Sequence, residues 1–170
     1  DQTSSPTMMV YPTDTIAKFA SDKRVQPMIK SIKSISDKFD ENSKLLELDF
    51  NNGNYMVLVG ANSPSSLSSR SIKYLFFDEI DKYPAFAGKE ADPIKLATER
   101  TKTFVDKKIV MVSTPTVESG NIWQAFMSAN ERLQYYVPCP HCGVSQVLKF
   151  KQIKWPEEHN DNADMIRDTA

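Results

Sequence analysis

Continuous apolar runs alternate with amphipathic segments along the chain. The runs at 7–11 (TMMVY), 72–77 (IKYLFF) and 109–112 (IVMV) are short and rich in β-branched or aromatic residues, which is typical of strands buried on both faces. Between the last two runs, Asp92 can cap a helix that extends through Phe104. This order of strand, helix and strand predicts a right-handed βαβ unit, and therefore an α/β fold with a mainly parallel sheet covered by helices.

Two helices are also predicted between the first apolar run and residue 38. Thr13 or Asp14 can cap the first helix, and Pro27 can begin the second, which carries apolar residues at helical spacing. Six basic and two acidic residues lie from Lys18 to Lys38. Two interpretations of this charge remain open: a solvated helical face, and a patch that contacts a DNA backbone.

A turn signal marks a hairpin in the middle of the chain. The segment 51–54 (NNGN) contains an Asn-Gly pair and separates two β-rich runs at 45–50 and 55–59, which predicts an antiparallel hairpin. The Ser-rich segment 60–70 lies directly before the most apolar run, and we expect it to form a loop or short helix at a site. A further helix is predicted over 120–129.

The pattern changes near residue 133. Two short β-rich runs, 134–137 and 146–150, lie on either side of the sequence CPHCG, and the chain becomes polar and acidic from Glu157 onward. We therefore predict a first domain over 1–133 and an appendage over 134–170, formed by a Cys-knuckle β hairpin and a polar tail.

Composition excludes several classes of protein. Among 170 residues, 21 Lys and Arg stand against 22 Asp and Glu, so overall charge supplies no attraction for nucleic acid or anionic lipid, and any such partner must meet a local patch. No run approaches the roughly 18 apolar residues of a membrane-spanning helix, and the first residues lack a signal-peptide pattern, so we expect an intracellular protein without a membrane segment. The five glycines form no G-x-x-x-x-G-K-[ST] phosphate loop. If the protein binds a nucleotide, part of the site lies outside this chain.

Polar residues follow two of the predicted parallel strands. Asp78 and Glu79 come directly after one, and Ser113 and Thr114 after the next. Ligands bind at the carboxyl ends of such strands, where a first carboxylate can hold the hydrated Mg²⁺ of a nucleotide and a second can deprotonate the attacking water. The alternative is that both acidic residues simply face water and that the hydroxyl pair, followed by Pro115, forms an ordinary turn.

Two cysteines, Cys139 and Cys142, are too few for a disulfide framework, and their spacing suits a metal or redox site. Two thiolates supply half of a tetrahedral zinc site. A thioredoxin-like redox pair usually opens a helix after a strand, whereas Pro140 and Gly143 favour a knuckle.

Taken together, these motifs resemble the large terminase subunits of tailed bacteriophages, in the lambda-type (GpA) family of DNA-packaging ATPases. Neither the DEID run nor the CPHC pair is specific by itself, but the order and spacing of all the segments are. The segments that carry the resemblance are MVYPTDTIAKFASDKRVQPM, GANSPSSLSSRSIKYLFFDEIDKYP, DPIKLATERTKTF, VSTPT and YVPCPHCGVSQVLKF, with Trp155 just after.

The resemblance implies a three-layer RecA-like sheet of the P-loop NTPase type and a role for each matched residue. Asp78 and Glu79 fall in the Walker B strand, with Asp78 toward Mg²⁺ and Glu79 as the base for ATP hydrolysis. Ser113 and Thr114 match the motif that senses the γ-phosphate and couples hydrolysis to DNA movement. Arg24 and Arg70 fall where the family has an arginine for a phosphate or subunit-interface contact. Arg70, close before the Walker B strand, is the stronger candidate, with a surface ion pair as its alternative.

This chain departs from the family pattern in what it lacks. The Walker A loop that precedes the first matched segment is missing, as is the downstream nuclease domain, so we expect part of an ATPase domain, truncated at both ends and inactive alone. The family has a second cysteine pair further along, past Ala170. Structural Zn²⁺ is therefore expected only in the full-length protein, with Cys139 and Cys142 as two of its ligands.

The implied function is an ATP- and Mg²⁺-dependent motor that moves double-stranded viral DNA into procapsids. The implied partners are the DNA, a small terminase subunit, the portal or procapsid and further copies of the full-length subunit, in the host cytoplasm and from a phage or prophage gene. Two alternatives remain. A helicase-type RecA-like ATPase is supported chiefly by the DEID run, and a non-catalytic zinc-knuckle adaptor would leave the acidic strand end facing solvent.

Overall fold

The computed structural model describes residues 5–88, 92–149, 151, 154–157 and 164–165. Within it the chain forms two compact units, Asp1–Ser128 and Ala129–Ala170. The first unit contains the sheet and its helices, and the second contains a small hairpin.

A five-stranded sheet organises the first unit, in the order β2-β3-β1-β4-β5. β1 pairs in parallel with β3 and β4, and β4 pairs in parallel with β5, whereas β2 runs antiparallel to β3. This arrangement confirms the predicted mainly parallel α/β sheet and the hairpin around 51–54. The strands are β1 (Thr7–Tyr11), β2 (Glu47–Asp49), β3 (Tyr55–Gly60), β4 (Tyr74–Asp78) and β5 (Lys108–Val112).

Short helices connect these strands. Thr13 caps the first helix, since its side chain accepts a hydrogen bond from the backbone N–H of Ile16 at 3.3 Å. In the described ranges, no helix has both the length and the apolar character needed to cross a membrane. The helices are α1 (Asp14–Ala20), a π-helical segment (Ser21–Val25), α2 (Gln26–Ser31), α3 (Lys33–Ser36), α4 (Pro64–Ser68), a 3₁₀ turn (Ile80–Lys82), α5 (Pro93–Glu99) and α6 (Asn121–Met127).

Each face of the sheet carries its own apolar core because successive side chains of a strand point to opposite faces. Met8 and Val10 of β1 belong to a cluster that also includes Leu67 of α4 and Ala97 of α5. Tyr11 of β1 packs instead in a second cluster with side chains of α1, the π-helical segment and α2. Helices therefore cover both faces of the sheet, as the pattern of strands and helices predicted.

The predicted helix boundaries were wrong in two places. Pro27 does not begin a helix, because α1, the π-helical segment and α2 follow one another without a break and the chain leaves helical geometry only at Ile32 (φ −100°, ψ 102°). α5 ends at Glu99 rather than Phe104, and the following turn includes a hydrogen bond from the Thr101 hydroxyl to the Thr98 carbonyl (2.8 Å). A hydrogen bond from the N–H of Gln26 to the carbonyl of Ser21 continues the helix past the predicted break. The Thr101 hydrogen bond belongs to a turn, and the helix does not continue to Phe104.

β5 is not buried on both faces, contrary to the prediction. It lies at the edge of the sheet, and its side chains alternate between exposed and half-buried. Val110 is 42% and Val112 56% exposed, and the neighbouring Phe76 of β4 is 37% exposed. Within the described ranges, the helices that cover this face lie over β1 and β3 and leave β4 and β5 open.

The second unit contains the antiparallel hairpin β6 (Val137–Pro138) and β7 (Ser145–Gln146). Its loop closes through hydrogen bonds from the N–H of Cys139 to the carbonyl of Val144 and from the N–H of Gly143 to the carbonyl of Cys139, both 2.9 Å. These strands are shorter than the runs 134–137 and 146–150 had indicated, and Phe150 lies outside the described residues. The polar tail expected from 157 onward also lies almost wholly outside them.

Candidate functional site

The structure brings four of the predicted site residues to one edge of the sheet. β4 and β5 are parallel, and Asp78 pairs in register with Val112. Ser113, the next residue after Val112, therefore lies beside the end of β4. Asp78 and Glu79 are half-buried there, Ser113 is half-buried, and Thr114 is exposed. The carboxyl ends of two adjacent strands thus present carboxylates and hydroxyls together.

Glu79 has the backbone conformation of a residue under strain. Its φ of 56° and ψ of 47° lie in the left-handed region, which costs a residue other than glycine about 1–2 kcal/mol. Its carboxylate is 37% exposed and pairs with Lys82 Nζ at 2.9 Å. Strained residues of this kind cluster at functional sites. The predicted base therefore sits in a sharp turn that directs it away from the line of β4.

Tyr83 holds the ends of β1 and β4 together beneath this turn. Its buried hydroxyl donates a hydrogen bond to the carbonyl of Val10 at 2.7 Å and accepts one from the backbone N–H of Asp78. Burial, offset in part by that hydrogen bond, raises the pKa of Tyr83 far above its usual range, so the hydroxyl stays protonated. Sequence reasoning missed Tyr83, and an isolated tyrosine after a strand gives no signal that could have found it.

Asp81 is a second residue that sequence reasoning did not assign. Its backbone N–H donates to Ser113 Oγ at 3.2 Å, and its carboxylate accepts hydrogen bonds from the backbone N–H groups of Thr116 and Ile122. The signal available in the sequence was the DEID run itself, whose last acidic residue had been used only to support the helicase alternative.

The two candidate arginines lie at different places. Arg24 is exposed, stacks 5.9 Å from the Phe19 ring centroid, and lies near Tyr11. Burial and the Asp78 carboxylate raise the pKa of Tyr11 and the Arg24 guanidinium lowers it, so both charged groups are close to that hydroxyl. Arg24 and Asp78 therefore act electrostatically on the same hydroxyl, with opposite effects on its pKa.

Arg70 lies elsewhere. Its guanidinium pairs with the Glu47 carboxylate of β2 and stacks 5.0 Å from the Tyr55 ring centroid. β2 is three strand spacings from β4 in the sheet order, roughly 14 Å. The structure thus shows the surface ion pair that was the alternative for Arg70 and does not bring this residue to Asp78.

The basic stretch from Lys18 to Lys38 is exposed on α1 to α3 and the segments around them, and part of its charge is neutralised. Lys23 pairs with Asp22 at 2.8 Å, and Lys30 pairs with Glu41 at 3.0 Å. Both interpretations of this stretch, a solvated face and a DNA contact, remain predictions.

Cys139 and Cys142 lie in the hairpin loop of the second unit. Hydrogen bonds from the backbone N–H groups of Cys142 and His141 lower the pKa of the Cys139 thiol and favour the thiolate that binds metal. This donor pair fits two of the four ligands of a structural zinc ion. Among the residues described, no group of three or more His, Cys, Asp or Glu side chains could hold a metal ion.

Solved structures with a similar fold include a phage large terminase and a phage large-terminase ATPase domain. The large terminase ATPase domain of Thermus phage P74-26 superposes with a TM-score of 0.54 at 17% identity, over 86% of this chain and 61% of that one. The fold is therefore that of a large-terminase ATPase domain.

The family follows from the sequence comparison. The model for the phage terminase large subunit gpA ATPase domain matches residues 1–167, so the chain belongs to this family. The large terminase subunits of Enterobacteria phage P21 and Escherichia phage lambda are each 27% identical, over 86% and 88% of this chain. The chain spans 24% of the length of each of these relatives.

Proposed function

We propose that this chain is the part of a large terminase subunit that carries the hydrolytic carboxylates and the coupling loop of an ATP-driven DNA-packaging motor. The observation that carries the proposal is the strained Glu79 beside Asp78 at the end of β4, hydrogen-bonded through its turn to the Ser113 loop at the end of β5. The family assignment supports ATP as the nucleotide.

Each residue at this edge has a role in the proposal. Asp78 would hold Mg²⁺, whose charge offsets that of the nucleotide phosphates when bound. Glu79, which its left-handed turn aims out of the strand, accepts a proton from the attacking water. Ser113 and Thr114 begin the loop that responds to the γ-phosphate. The phosphate-binding loop comes from the remainder of the subunit, since this sequence has no such motif.

Arg24 is the better candidate for a phosphate contact than Arg70, which reverses the order given by sequence alone. Its support is that Arg24 and Asp78 act on the pKa of the same buried hydroxyl, whereas Arg70 is paired with Glu47. An interface role for Arg70 between subunits of the motor remains a proposal.

The partners are proposed from the same family membership. The protein would bind the phosphate backbone of double-stranded DNA without reading its sequence. The exposed basic side chains from Lys18 to Lys38 are a candidate contact. The small subunit, the portal or procapsid and a homo-oligomeric motor in the host cytoplasm complete the proposal. A structural Zn²⁺ with Cys139 and Cys142 among its ligands is proposed for the full-length protein.

The first test is ATP turnover by the full-length subunit with DNA present. Glu79→Gln removes the base while preserving side-chain size, and we expect it to lower kcat by about 10²–10⁴-fold because that is the contribution of general base catalysis. Asp78→Asn should also abolish turnover and should in addition weaken Mg²⁺-dependent ATP binding, which Glu79→Gln should retain.

Glu131→Gln is the matched control, because it makes the same chemical change at an exposed carboxylate outside β4, β5 and the basic stretch. It should leave turnover unchanged. Wild-type turnover in Glu79→Gln would refute the catalytic assignment. If ATP and Mg²⁺ also failed to shift the melting temperature of the wild-type subunit, the adaptor alternative would be favoured.

A further inference from the structure

Asp81 connects two segments that are far apart in the sequence. Its Oδ1 accepts a hydrogen bond from the N–H of Ile122 at 2.8 Å, and its Oδ2 accepts one from the N–H of Thr116 at 3.3 Å. Its own backbone N–H donates to Ser113 Oγ at 3.2 Å. Asp81, a single residue in the turn that follows β4, thus contacts the loop after β5 at two places and also the first turn of α6.

The surrounding residues are adapted to this contact. A Cβ at Gly120 would lie 2.6 Å from Asp81 Oδ2, so any other residue there would have to displace the Asp81 carboxylate from this position. Asn121 Nδ2 donates to the carbonyl of Ile80 at 3.0 Å, next to Asp81 in the same turn. The 3₁₀ turn and the loop are therefore joined by polar contacts from both sides.

The same turn carries Glu79, two residues before Asp81. Glu79 has a left-handed backbone conformation, and only Ile80 separates it from Asp81. A displacement of the backbone at Asp81 is therefore expected to reach Glu79. The loop held by Asp81 starts with Ser113 and Thr114. The proposed base and the proposed γ-phosphate loop are consequently linked through one side chain.

We propose that Asp81 is a positioning residue for hydrolysis: it fixes the loop that begins at Ser113 to the turn that orients Glu79. This inference rests on the proposed function. Through this link, movement of the Ser113 loop would change the orientation of Glu79, and a change at Glu79 would be transmitted to α6.

The competing explanation is that Asp81 only caps α6, and the chain contains a control for it. Asp92 accepts a hydrogen bond from the N–H of Ile94 at 2.8 Å at the start of α5. It performs the same capping task as Asp81 without bridging to the catalytic turn. The capping hydrogen bond by itself should contribute a similar free energy of unfolding at both positions.

The test compares Asp81→Ala, Asp81→Asn and Asp92→Ala in the full-length subunit, measuring kcat and KM for ATP below the melting temperature of each variant. Asp81→Ala should lower kcat by about 10–100-fold, the effect expected from slight misplacement of a catalytic group, with KM changed less than twofold. Asp81→Asn should recover part of kcat because its side-chain carbonyl can still accept one N–H. Asp92→Ala should lower the melting temperature but not kcat.

Two outcomes would overturn the inference: equal kcat in Asp81→Ala and Asp92→Ala, or a loss in Asp81→Ala that appears only in KM. Glu79→Gln separates this from failure of the proposed function. If Glu79→Gln abolishes turnover while Asp81→Ala behaves like Asp92→Ala, only the positioning role fails. If Glu79→Gln is fully active, the proposed function itself fails.

Discussion

Glu79 combines a strained backbone with the carboxylate that we propose as the base for ATP hydrolysis. Among the described residues it is the only one besides glycine with a positive φ, and it lies directly after a buried strand. A glycine at this position would remove the steric cost but also the carboxylate. The strain at a non-glycine residue therefore supports the proposal that the Glu79 carboxylate has a function.

Replacing Glu79 tests this trade-off. Glu79→Gly should raise the free energy of unfolding by about 1 kcal/mol because it relieves the left-handed strain, while Glu79→Ala should not, since alanine keeps the Cβ. Urea unfolding of the 170-residue chain measures the difference. Both variants should be inactive in the full-length subunit. A stability of Glu79→Gly below that of Glu79→Ala would contradict the strain.

At the scale of elements, an ion pair and a close backbone contact join segments whose proximity the hydrophobic pattern of the sequence does not predict. Arg70 ties the segment after α4 to β2 through Glu47, and Tyr55 of β3 adds a stacking contact. At the other end of β3, a Cβ on Gly60 would overlap the backbone at Thr13 and Asp14, so glycine is needed for β3 to meet the start of α1. Such contacts fix where the hairpin ends.

The Arg70 contact predicts a dependence of stability on pH. The hydrogen bond from Arg70 lowers the pKa of the Glu47 carboxyl below its ordinary value of 4.5. The ion pair therefore contributes fully above about pH 4.5, and its contribution is lost as pH falls through the lower pKa of the folded state. Arg70→Met should destabilise the chain by up to about 1 kcal/mol at pH 7, because the pair is partly exposed, and by less near pH 3.

The measurement is urea unfolding of wild type and Arg70→Met at both pH values. Lys44→Met is the matched control, since Lys44 pairs with the same carboxylate at 3.5 Å but is 81% exposed, and its effect should be smaller. An Arg70→Met penalty that grows at low pH would show that the Glu47 pair is not its source. Unchanged ATP turnover in this variant would favour a structural role over a phosphate contact.

At the scale of the whole molecule, several features are incomplete within this chain. β5 leaves one edge of the sheet unpaired and Val110 and Val112 open to solvent in the described structure. The sequence has no phosphate-loop motif to accompany the proposed hydrolytic carboxylates, and Cys139 and Cys142 would supply only two of four zinc ligands. Each feature is consistent with a chain that spans 24% of its relatives.

The cysteine pair gives a prediction at this scale. The full-length subunit should contain about one zinc ion per chain, because structural sites need four ligands and this loop supplies two cysteines, of which Cys139 has a lowered pKa. Cys139→Ser with Cys142→Ser should remove the metal and lower the melting temperature, as measured by elemental analysis and calorimetry. The 170-residue chain should bind zinc more weakly than the full-length protein. A full-length protein without zinc would exclude the structural role.

Much of the fold could be predicted because local patterns reflect it directly. The strand at 7–11, the hairpin at the Asn-Gly turn, the caps Thr13 and Asp92 and the mainly parallel sheet were all expected and are confirmed. Apolar alternation, turn residues and capping residues act over a few positions, so one sequence suffices to recognise them. The position of Asp78 and Glu79 at the end of a strand could be recognised in the same way.

The tertiary structure decided what depends on distant neighbours. The left-handed turn at Glu79, the Tyr83 hydrogen bonds and the Asp81 link to Thr116 and Ile122 join segments more than 30 residues apart or depend on packing that no local pattern encodes. The tertiary structure also pairs Arg70, the arginine that the family resemblance favoured, with Glu47 of β2 and keeps it away from Asp78. The sequence by itself determined the elements and the chemical groups they carry, because those follow from local propensity. Which groups meet was decided by the order of strands in the sheet, because that order is set by long-range packing.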